Sequence, residues 1–197
     1  MKYDVIIAGV GGQGILSIAT VIGRAALDLG LHLKQSEVHG MAQRGGAVQS
    51  HLRLSDAPIF SDLIRQGTAD MILALEPLEA LRYLPWLQPA AGCLVANEET
   101  FPNLPVYPAA ETIYAALRRY PRHLLFDATQ LARTHGAPRA VNMAMLGAAS
   151  CFLTIPPEAL ERGIRAQFTR KGAEVVHGNL AVFRAGRELA EQTRGAW

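Results

Sequence analysis

A run of glycines near the amino terminus has the spacing of a loop that binds phosphate groups. The residues Gly9-Val10-Gly11-Gly12-Gln13-Gly14 match G-x-G-x-x-G between an apolar run and a helical pattern, which is the context this motif requires. We expect Gly9 to permit the tight turn, and Gly14 to let helix and strand pack closely. Gly11 and Gly12 would let the backbone approach a ligand, so that the first amides of the helix face an anion. A turn that only serves close packing is the alternative.

A second concentration of polar groups and glycines follows at residues 36 to 46. It reads Ser36-Glu37-Val38-His39-Gly40-Met41-Ala42-Gln43-Arg44-Gly45-Gly46, which is too rich in hydrogen-bonding groups to be core and is predicted to be a loop or turn. His39, Gln43 and Arg44 can donate hydrogen bonds, and Arg44 carries a permanent positive charge. A structural role for His39, and an ion pair of Arg44 with Glu37 or at an interface, are equally compatible with the sequence.

Short apolar runs alternate with helical patterns along the chain, which indicates a β–α–β–α order. The predicted strands are Tyr3–Ala8, Leu31–Gln35, Val48–Leu54, Met71–Leu75, Leu94–Ala96 and His123–Phe126. The predicted helices are Ile15–Leu29, with Gly30 as its stop, Leu78–Leu87, Glu111–Arg119, Ala140–Phe152, Pro157–Phe168 and Leu180–Thr193. We therefore predict a single α/β domain over residues 1–197, with an open, mainly parallel, Rossmann-like sheet flanked by helices.

Parallel sheets bind ligands beyond the carboxyl ends of their strands, so the residues that close the predicted strands are candidates for one rim. They are Gly9, Ser36, Glu37, Glu76, Asn97 and Asp127. Taken singly, the polar ones are more often caps of the next helix. The alternation in Val48–Leu54 places Gln49, His51 and Arg53 on one face, which we expect to be wet, with His51 at a surface or interface.

Composition and charge exclude several classes of function. The 19 basic and 17 acidic residues are interspersed and give a net charge of +2, so the footprint of nucleic-acid binding is missing. No apolar run of about 20 residues and no signal-peptide pattern is present, so we expect a cytoplasmic protein without a membrane partner. Cys93 and Cys151 stand far apart in apolar stretches, which is typical of buried thiols and not of an iron–sulfur or zinc site.

The two glycine-bearing segments together resemble the γ subunits of the pyruvate/2-ketoacid ferredoxin oxidoreductases. The match runs through Gly11-Gly12-Gln13-Gly14 and the segment 36–46, and it continues more weakly at Asn142-Met143-Ala144-Met145-Leu146-Gly147 and at Phe168, Lys171 and Asn179. The resemblance covers nearly the whole chain. Within the family, the chain most resembles the small, stand-alone β subunits of the indolepyruvate type. A solvated lysine and a capping asparagine are the alternative roles of Lys171 and Asn179.

This resemblance implies a complex that oxidatively decarboxylates a 2-oxoacid, here an arylpyruvate, to the acyl-CoA with ferredoxin as electron acceptor. Thiamine diphosphate and the iron–sulfur clusters are expected on a large α subunit, and this chain has neither a Gly-Asp-Gly motif nor cluster cysteines. The chain would then complete an active site and be inactive alone. Coenzyme A is the expected ligand of the glycine loop, with Arg44 beside it.

The residues expected to take part fall into two groups. Supporting catalytic roles are expected for His39, Gln43 and Arg44, and binding roles for Gly9, Gly11, Gly12, Gln13, Gly14, Ser36, Gly45, Gly46 and Asn142. No metal ligands are expected.

Two other functions remain open from the sequence. One is an independent NAD(P)-dependent oxidoreductase, for which Glu37 is the acid nearest the place where a ribose would be held. The second predicted strand is not followed by the ordinary second helix of a dinucleotide-binding half, which disfavours this function. The other is a non-catalytic interaction domain that has kept the glycine loop.

Overall fold

The computed structural model describes residues 1–39 and 45–194, without the side chains of His39 and Arg194. Six strands within these ranges form one sheet in the order β2-β3-β1-β4-β5-β6. The strands are β1 Lys2–Val10, β2 His32–His39, β3 Ala47–Ser55, β4 Met71–Ala74, β5 Cys93–Asn97 and β6 His123–Phe126. The predicted α/β class with an open, mainly parallel sheet is confirmed.

The antiparallel strand β3 separates β1 from β2. Strands β1, β4, β5 and β6 run parallel to one another, whereas β3 pairs antiparallel with β1 on one side and with β2 on the other. Strand β2 therefore points the same way as β1 without being its neighbour. As a result, the connection from His39 to Ala47 arrives at the carboxyl edge of the sheet, where β1 ends at Val10.

Seven helices cover the sheet within the described ranges, and most lie where the apolar periodicity predicts them. They are α1 Ile15–Asp28, α2 Pro77–Tyr83, α3 Ala110–Leu117, α4 Ala128–Thr134, α5 Val141–Ser150, α6 Pro157–Phe168 and α7 Ala173–Arg194. Helix α7 begins at Ala173 instead of Leu180, and the short α4 was not predicted. Across residues 1–39 and 45–194, no helix combines the length and apolarity needed to cross a bilayer.

Both faces of the central strand β1 are buried, as expected where helices cover a parallel sheet on each side. Val5 and Ile7 of β1 point into a cluster with α1, α5, α6 and α7, whereas Ile6 and Ala8 point into a cluster with α2 and α3. All four side chains have 0% exposure. The sequence period of two in β1 thus places alternate residues in two separate cores.

Helices α5 and α7 touch backbone to backbone through two glycines. A Cβ at Gly147 would overlap the carbonyl oxygen of Phe183, and a Cβ at Gly186 would overlap the carbonyl oxygen of Ala144. Side chains at these positions would force the helices apart. The close crossing fixes α7 relative to the start of α5, which matters because both helices border the candidate site.

The face of β3 that was predicted to be wet is covered in part, and the predicted surface position of His51 is wrong. The chain after β3 folds back over this face, where Arg53 donates to the carbonyl oxygens of Ser61 and Leu63 at 3.0 and 3.2 Å. His51 is 4% exposed, and its Nδ1 accepts a hydrogen bond of 3.0 Å from the Ile64 amide. Strand alternation shows which residues share a face, but it does not show what covers that face.

Burial of His51 predicts a pH dependence of folding stability. Desolvation lowers the pKa of His51 below its ordinary 6.5, and Nδ1 can accept from Ile64 only when it carries no proton. Between the pKa of His51 in the folded protein and 6.5, the unfolded chain binds more protons than the folded one. The contribution of neutral His51 to the free energy of unfolding is therefore complete above about pH 6.5 and is lost as pH falls. We expect the urea midpoint to fall between about pH 7.5 and about pH 5.5, and His51→Gln to reduce that fall.

The matched control for this prediction is His135→Gln. His135 is exposed on the surface at the end of α4, so its replacement should leave the pH dependence of the urea midpoint the same as in the wild-type protein. An equal pH dependence in His51→Gln and in the wild-type protein would contradict the assignment.

Candidate functional site

The glycine loop connects β1 to α1 at the carboxyl edge of the sheet. Two of its residues adopt left-handed backbone angles that favour glycine, Gly12 with φ +106° and Gly14 with φ +88°. Gly14 is the N-cap of α1 and offers no side-chain acceptor to the amides of the first helical turn, although its carbonyl oxygen accepts from the Ser17 amide at 3.0 Å. No atom lies within 4 Å of a Cβ built at Gly12, which leaves the loop open to a ligand there.

The side chain of Gln13 holds the loop against the end of the sheet. Its Oε1 accepts a 2.7 Å hydrogen bond from the Val10 amide, and its Nε2 donates to the Leu75 carbonyl oxygen at 3.3 Å. Both ends of the amide are therefore used inside the protein, and Gln13 fixes the shape of the loop from within.

Gly9 provides the space that the Gln13 side chain occupies. A Cβ at Gly9 would lie 2.6 Å from Gln13 Oε1, 3.2 Å from Leu75 Cβ and 3.3 Å from Ile15 Cδ1. Gly9 lies within β1 and does not have a positive φ. The expectation that it permits a tight turn is thus wrong: its role is close packing.

Asn142 reaches the same loop from the first turn of α5. Its Nδ2 donates to the Gly14 carbonyl oxygen at 3.3 Å, and a Cβ at Gly14 would lie 2.5 Å from that nitrogen. Asn142 is 8% exposed. Gly14 therefore allows the loop to pack against α5, whereas the sequence had suggested packing of α1 against its own strand.

Gly45 and Gly46 lie directly against Gly11. The Gly11 amide donates to the Gly46 carbonyl oxygen at 2.8 Å, and the Gly45 amide donates to the Gly11 carbonyl oxygen at 3.3 Å. These bonds continue the antiparallel ladder of β1 and β3 beyond the pair Val10 and Ala47. Gly45 and Gly46, at the end of the second glycine-bearing segment, thus lie beside the glycine loop.

The three residues with predicted catalytic roles lie wholly or partly outside the described residues. Gln43 and Arg44 lie outside the described residues, as do Gly40, Met41 and Ala42. His39 ends β2 at the same edge of the sheet, but its side chain is outside the description. Their roles therefore stay predictions.

Ser36 is not brought to the glycine loop. It lies inside β2, which continues to His39, and not in a loop after a strand that ends at Gln35. Ser36 is opposite His51, and His51 is opposite Ile6. At about 3.3 Å per residue, this register places Ser36 about 13 Å from the edge at Val10, with β3 between them.

A cavity of about 620 Å³ opens beside the glycine loop. Three parts of the described chain line it: Gly12, Gln13, Gly14 and Ser17 from the loop and α1; Gly136, Ala137, Pro138, Arg139, Ala140 and Asn142 from the turn between α4 and α5 and the start of α5; and Phe168, Lys171, Glu174, Val175, Gly178 and Asn179 from α6 to α7. The weaker late matches in the sequence thus lie at the same cavity as the glycine loop.

Among the described residues that line the cavity, two are cations and one is a carboxylate. Arg139, Lys171 and Glu174 are all exposed, and Lys171 Nζ lies 5.4 Å from the centre of the Phe168 ring. Asn179 donates to the Val175 carbonyl oxygen at 2.7 Å from inside α7, so its expected role as a helix cap is wrong. Sequence reasoning missed Arg139, because α4 and its turn carry only a weak signal.

The polar residues at the ends of β4, β5 and β6 serve the fold. Glu76 and Asp127 cap α2 and α4 by accepting from the amides of Glu79 and Gln130. Asn97 donates to the Leu75 carbonyl oxygen at 3.4 Å and accepts from the Ala128 amide at 3.0 Å. Their side chains are thus already hydrogen-bonded within the protein.

Among the described residues, no three His, Cys, Asp or Glu side chains converge to hold a metal ion. Both cysteines of the sequence, Cys93 and Cys151, are buried, and they belong to β5 and to the turn after α5. Four thiolates are the usual ligands of an iron–sulfur cluster, so this chain does not fit such a cluster.

The packing of Gly9 against Gln13 predicts a non-additive pair of substitutions. Gly9→Ala places a methyl group against the Gln13 amide and should lower the free energy of unfolding by about 1–3 kcal/mol. Gln13→Ala removes two hydrogen bonds, worth about 1 kcal/mol each. In the double variant the methyl group has lost its main obstacle, so the combined loss should be smaller than the sum in urea denaturation. Simple additivity would contradict this geometry.

Comparison with known proteins agrees with this arrangement. Residues 4–189 match the family model described as pyruvate ferredoxin/flavodoxin oxidoreductase. The chain is 34% identical to indolepyruvate oxidoreductase subunit IorB of Archaeoglobus fulgidus, over 96% of each chain.

Two solved structures are also similar. The gamma subunit of a keto/oxoacid ferredoxin oxidoreductase from Geobacter sulfurreducens is 25% identical, with a TM-score of 0.73 and 98% of each chain covered. The 2-oxoglutarate:ferredoxin oxidoreductase of Magnetococcus marinus, solved with 2-oxoglutarate, coenzyme A and succinyl-CoA, has the same fold at 23% identity and a TM-score of 0.76. The match covers 97% of our chain but spans only 31% of that one. The predicted family is confirmed: the chain belongs to the pyruvate ferredoxin/flavodoxin oxidoreductase family.

Proposed function

We propose that this chain is the small subunit of a thiamine-diphosphate-dependent 2-oxoacid:ferredoxin oxidoreductase that acts on indolepyruvate or another arylpyruvate. The similarity to an indolepyruvate oxidoreductase subunit supports the substrate class, and the similarity to a gamma subunit supports the place in the complex. The reaction converts the 2-oxoacid and coenzyme A to the acyl-CoA and carbon dioxide, and two electrons pass to ferredoxin.

The cavity beside the glycine loop is the observation that carries this proposal. Its volume of about 620 Å³ is within the range of small-molecule sites, about 300–1,000 Å³. The left-handed Gly12 leaves open space beside the loop, and helix α1 begins there without a side-chain cap. These features suit a phosphate group, which helix amino termini attract.

Charge at the rim favours an anionic ligand. Among the described lining residues, the two positive charges of Arg139 and Lys171 outnumber the one carboxylate, that of Glu174, and the α1 dipole adds to the positive side. Coenzyme A carries phosphates at its nucleotide end. We place that end against Gly12, Gly14, Arg139 and Lys171, so that the thiol end leaves the cavity toward the large subunit.

The work of the reaction is divided between the chains. Thiamine diphosphate and iron–sulfur clusters, held by the large subunit, supply decarboxylation and electron transfer when bound. This chain holds the acyl acceptor and closes one wall of the shared site. We place the complex in the cytoplasm, since two buried thiols, Cys93 and Cys151, are typical of a reducing compartment.

The alternative of an independent NAD(P) enzyme is disfavoured by the strand order. In a dinucleotide-binding half, the second strand lies next to the first, and its acidic end residue reaches the ribose. Here Glu37 pairs opposite Ser50 of β3, which pairs opposite Ile7 of β1. Glu37 is therefore two strands away from β1, about 10 Å.

Co-expression of this chain with a candidate large subunit tests the proposed function. The purified complex should reduce a viologen dye when given indolepyruvate and coenzyme A together, and either subunit alone should be inactive. The same complex without coenzyme A is the control. Failure to reduce the dye with any aryl or branched 2-oxoacid would refute the proposed function.

A pair of isosteric substitutions tests the glycine loop as the coenzyme A site. Gly12→Asn and Gly12→Asp impose the same side-chain shape at φ +106°, but only the aspartate adds a negative charge. We expect the KM for coenzyme A to be about tenfold or more higher in Gly12→Asp than in Gly12→Asn, because like charges brought together cost on the order of several kcal/mol.

The same two variants distinguish the other functions. Equal KM values for coenzyme A in both variants would contradict the phosphate site and favour a loop without a ligand. Calorimetric titration of the wild-type chain with NADH should show no binding, and micromolar affinity would favour the nicotinamide-dependent function.

A further inference from the structure

The connection between β5 and α3 forms a pinned loop at the carboxyl edge of the sheet. We call residues 98–109 the edge loop. At its start, the Glu98 amide donates to the Phe126 carbonyl oxygen at 3.0 Å, and the Tyr114 hydroxyl donates to the Glu98 carbonyl oxygen. Prolines at positions 102, 105 and 108 restrict its backbone further.

A buried carboxylate, Glu76, anchors the middle of the edge loop. Glu76 is 1% exposed, and its Oε2 caps α2 through the Glu79 amide at 2.8 Å. Its Oε1 accepts from the Phe101 amide at 3.4 Å and from the Tyr107 hydroxyl. Burial, and then the bond with Glu76, raise the pKa of Tyr107 well above its ordinary value, so Tyr107 remains a donor. Phe101 and Tyr107 are thus both hydrogen-bonded to the same oxygen of Glu76.

Between these two ties, Asn103 reaches across to Gly45, beside the glycine loop. Its Nδ2 donates to the Gly45 carbonyl oxygen at 2.7 Å. Gly45 has φ +78°, and the pair Gly45 and Gly46 is bonded to Gly11 in both directions, at 3.3 and 2.8 Å. Hydrogen bonds, together with the backbone between residues 101 and 107, therefore connect buried Glu76 to Gly11, the residue that precedes Gly12.

We propose that Asn103 is a positioning residue for the coenzyme A site, which holds Gly45 and Gly46 against Gly11 and so fixes the opening of the glycine loop. The proposal rests on the proposed function, since coenzyme A is the ligand assigned to this cavity. Asn103 itself does not line the cavity, and it acts through the glycine backbone.

Rigidity of the edge loop is what makes a single hydrogen bond effective. A side chain on a mobile loop must be ordered when it binds, and this entropy cost offsets much of the bond. Asn103 lies on a stretch that is already tied at both ends by Glu76. Its amide is therefore held in place before the ligand arrives, which is how preorganisation increases affinity.

The test measures steady-state kinetics of the co-expressed complex together with amide hydrogen exchange of the full chain. Asn103→Ala removes the donor, and we expect the KM for coenzyme A to rise about fivefold, with kcat and the KM for the 2-oxoacid changed by less than about twofold. Exchange in the peptide covering residues 9–16 should become faster while the thermal midpoint of the chain stays unchanged.

Two further variants sharpen the test. Tyr107→Phe loosens the same loop at Glu76, so it should change the KM for coenzyme A in the same direction, and combining it with Asn103→Ala should add little. Val106→Ala is the matched control, because Val106 is 85% exposed on the same loop and should leave both measurements unchanged.

The outcomes separate this proposal from the proposed function. An unchanged KM for coenzyme A, or unchanged exchange in residues 9–16, would overturn the role of Asn103. An equal rise of both KM values with a lowered thermal midpoint would assign Asn103 to stability alone and overturn it as well. A wild-type complex without coenzyme A-dependent activity would overturn the function, while hydrogen exchange would still decide whether Asn103 controls the loop.

Discussion

The shape of the site depends on the two hydrogen bonds of the Gln13 side-chain amide. This amide bonds to the Val10 amide at the end of β1 and to the Leu75 carbonyl oxygen just beyond β4, so it ties the loop to the two central parallel strands. The lack of a side chain at Gly9 makes room for it. With the loop fixed in this way, Gly14 is held against Asn142, and α1 starts facing the cavity. Removing the side-chain amide would therefore disturb the cavity.

The reversed direction of β3 has the next largest effect on function. Because β3 is antiparallel to both neighbours, Gly45 and Gly46 arrive beside Gly11 at the carboxyl edge. A parallel strand in that place would begin at the opposite edge of the sheet and would leave the glycine loop without this wall. The insertion of β3 also separates β2 from β1. One topological feature therefore places Gly45 and Gly46 beside the glycine loop and disfavours a nicotinamide site.

Local patterns predicted the elements well, whereas contacts between distant segments were not predictable. Helix α6 and the stop at Gly30 were found because periodicity and a left-handed glycine are local signals. The burial of His51 depends on the chain around Ile64, and the place of Arg139 at the cavity depends on how the turn between α4 and α5 meets the glycine loop and α7. Neither leaves a trace in the spacing of nearby residues. The prediction that Ser36 lies in a loop at the site was wrong for a related reason. The polar segment after Gln35 continues as an edge strand, and its pairing with β3 is not visible in the sequence.

Exposure of the cavity gives a physical reason why the proposed anion site would depend on a partner subunit. Arg139 and Lys171 lie in water, where an ion pair contributes only about 0–1 kcal/mol. The same charges interact roughly four times more strongly when the effective dielectric constant falls from about 80 to about 20. A large subunit that covers the cavity would cause that fall without adding any charge of its own. In this view, the chain brings a shaped and positively charged wall, and the partner brings the exclusion of water that makes the wall effective.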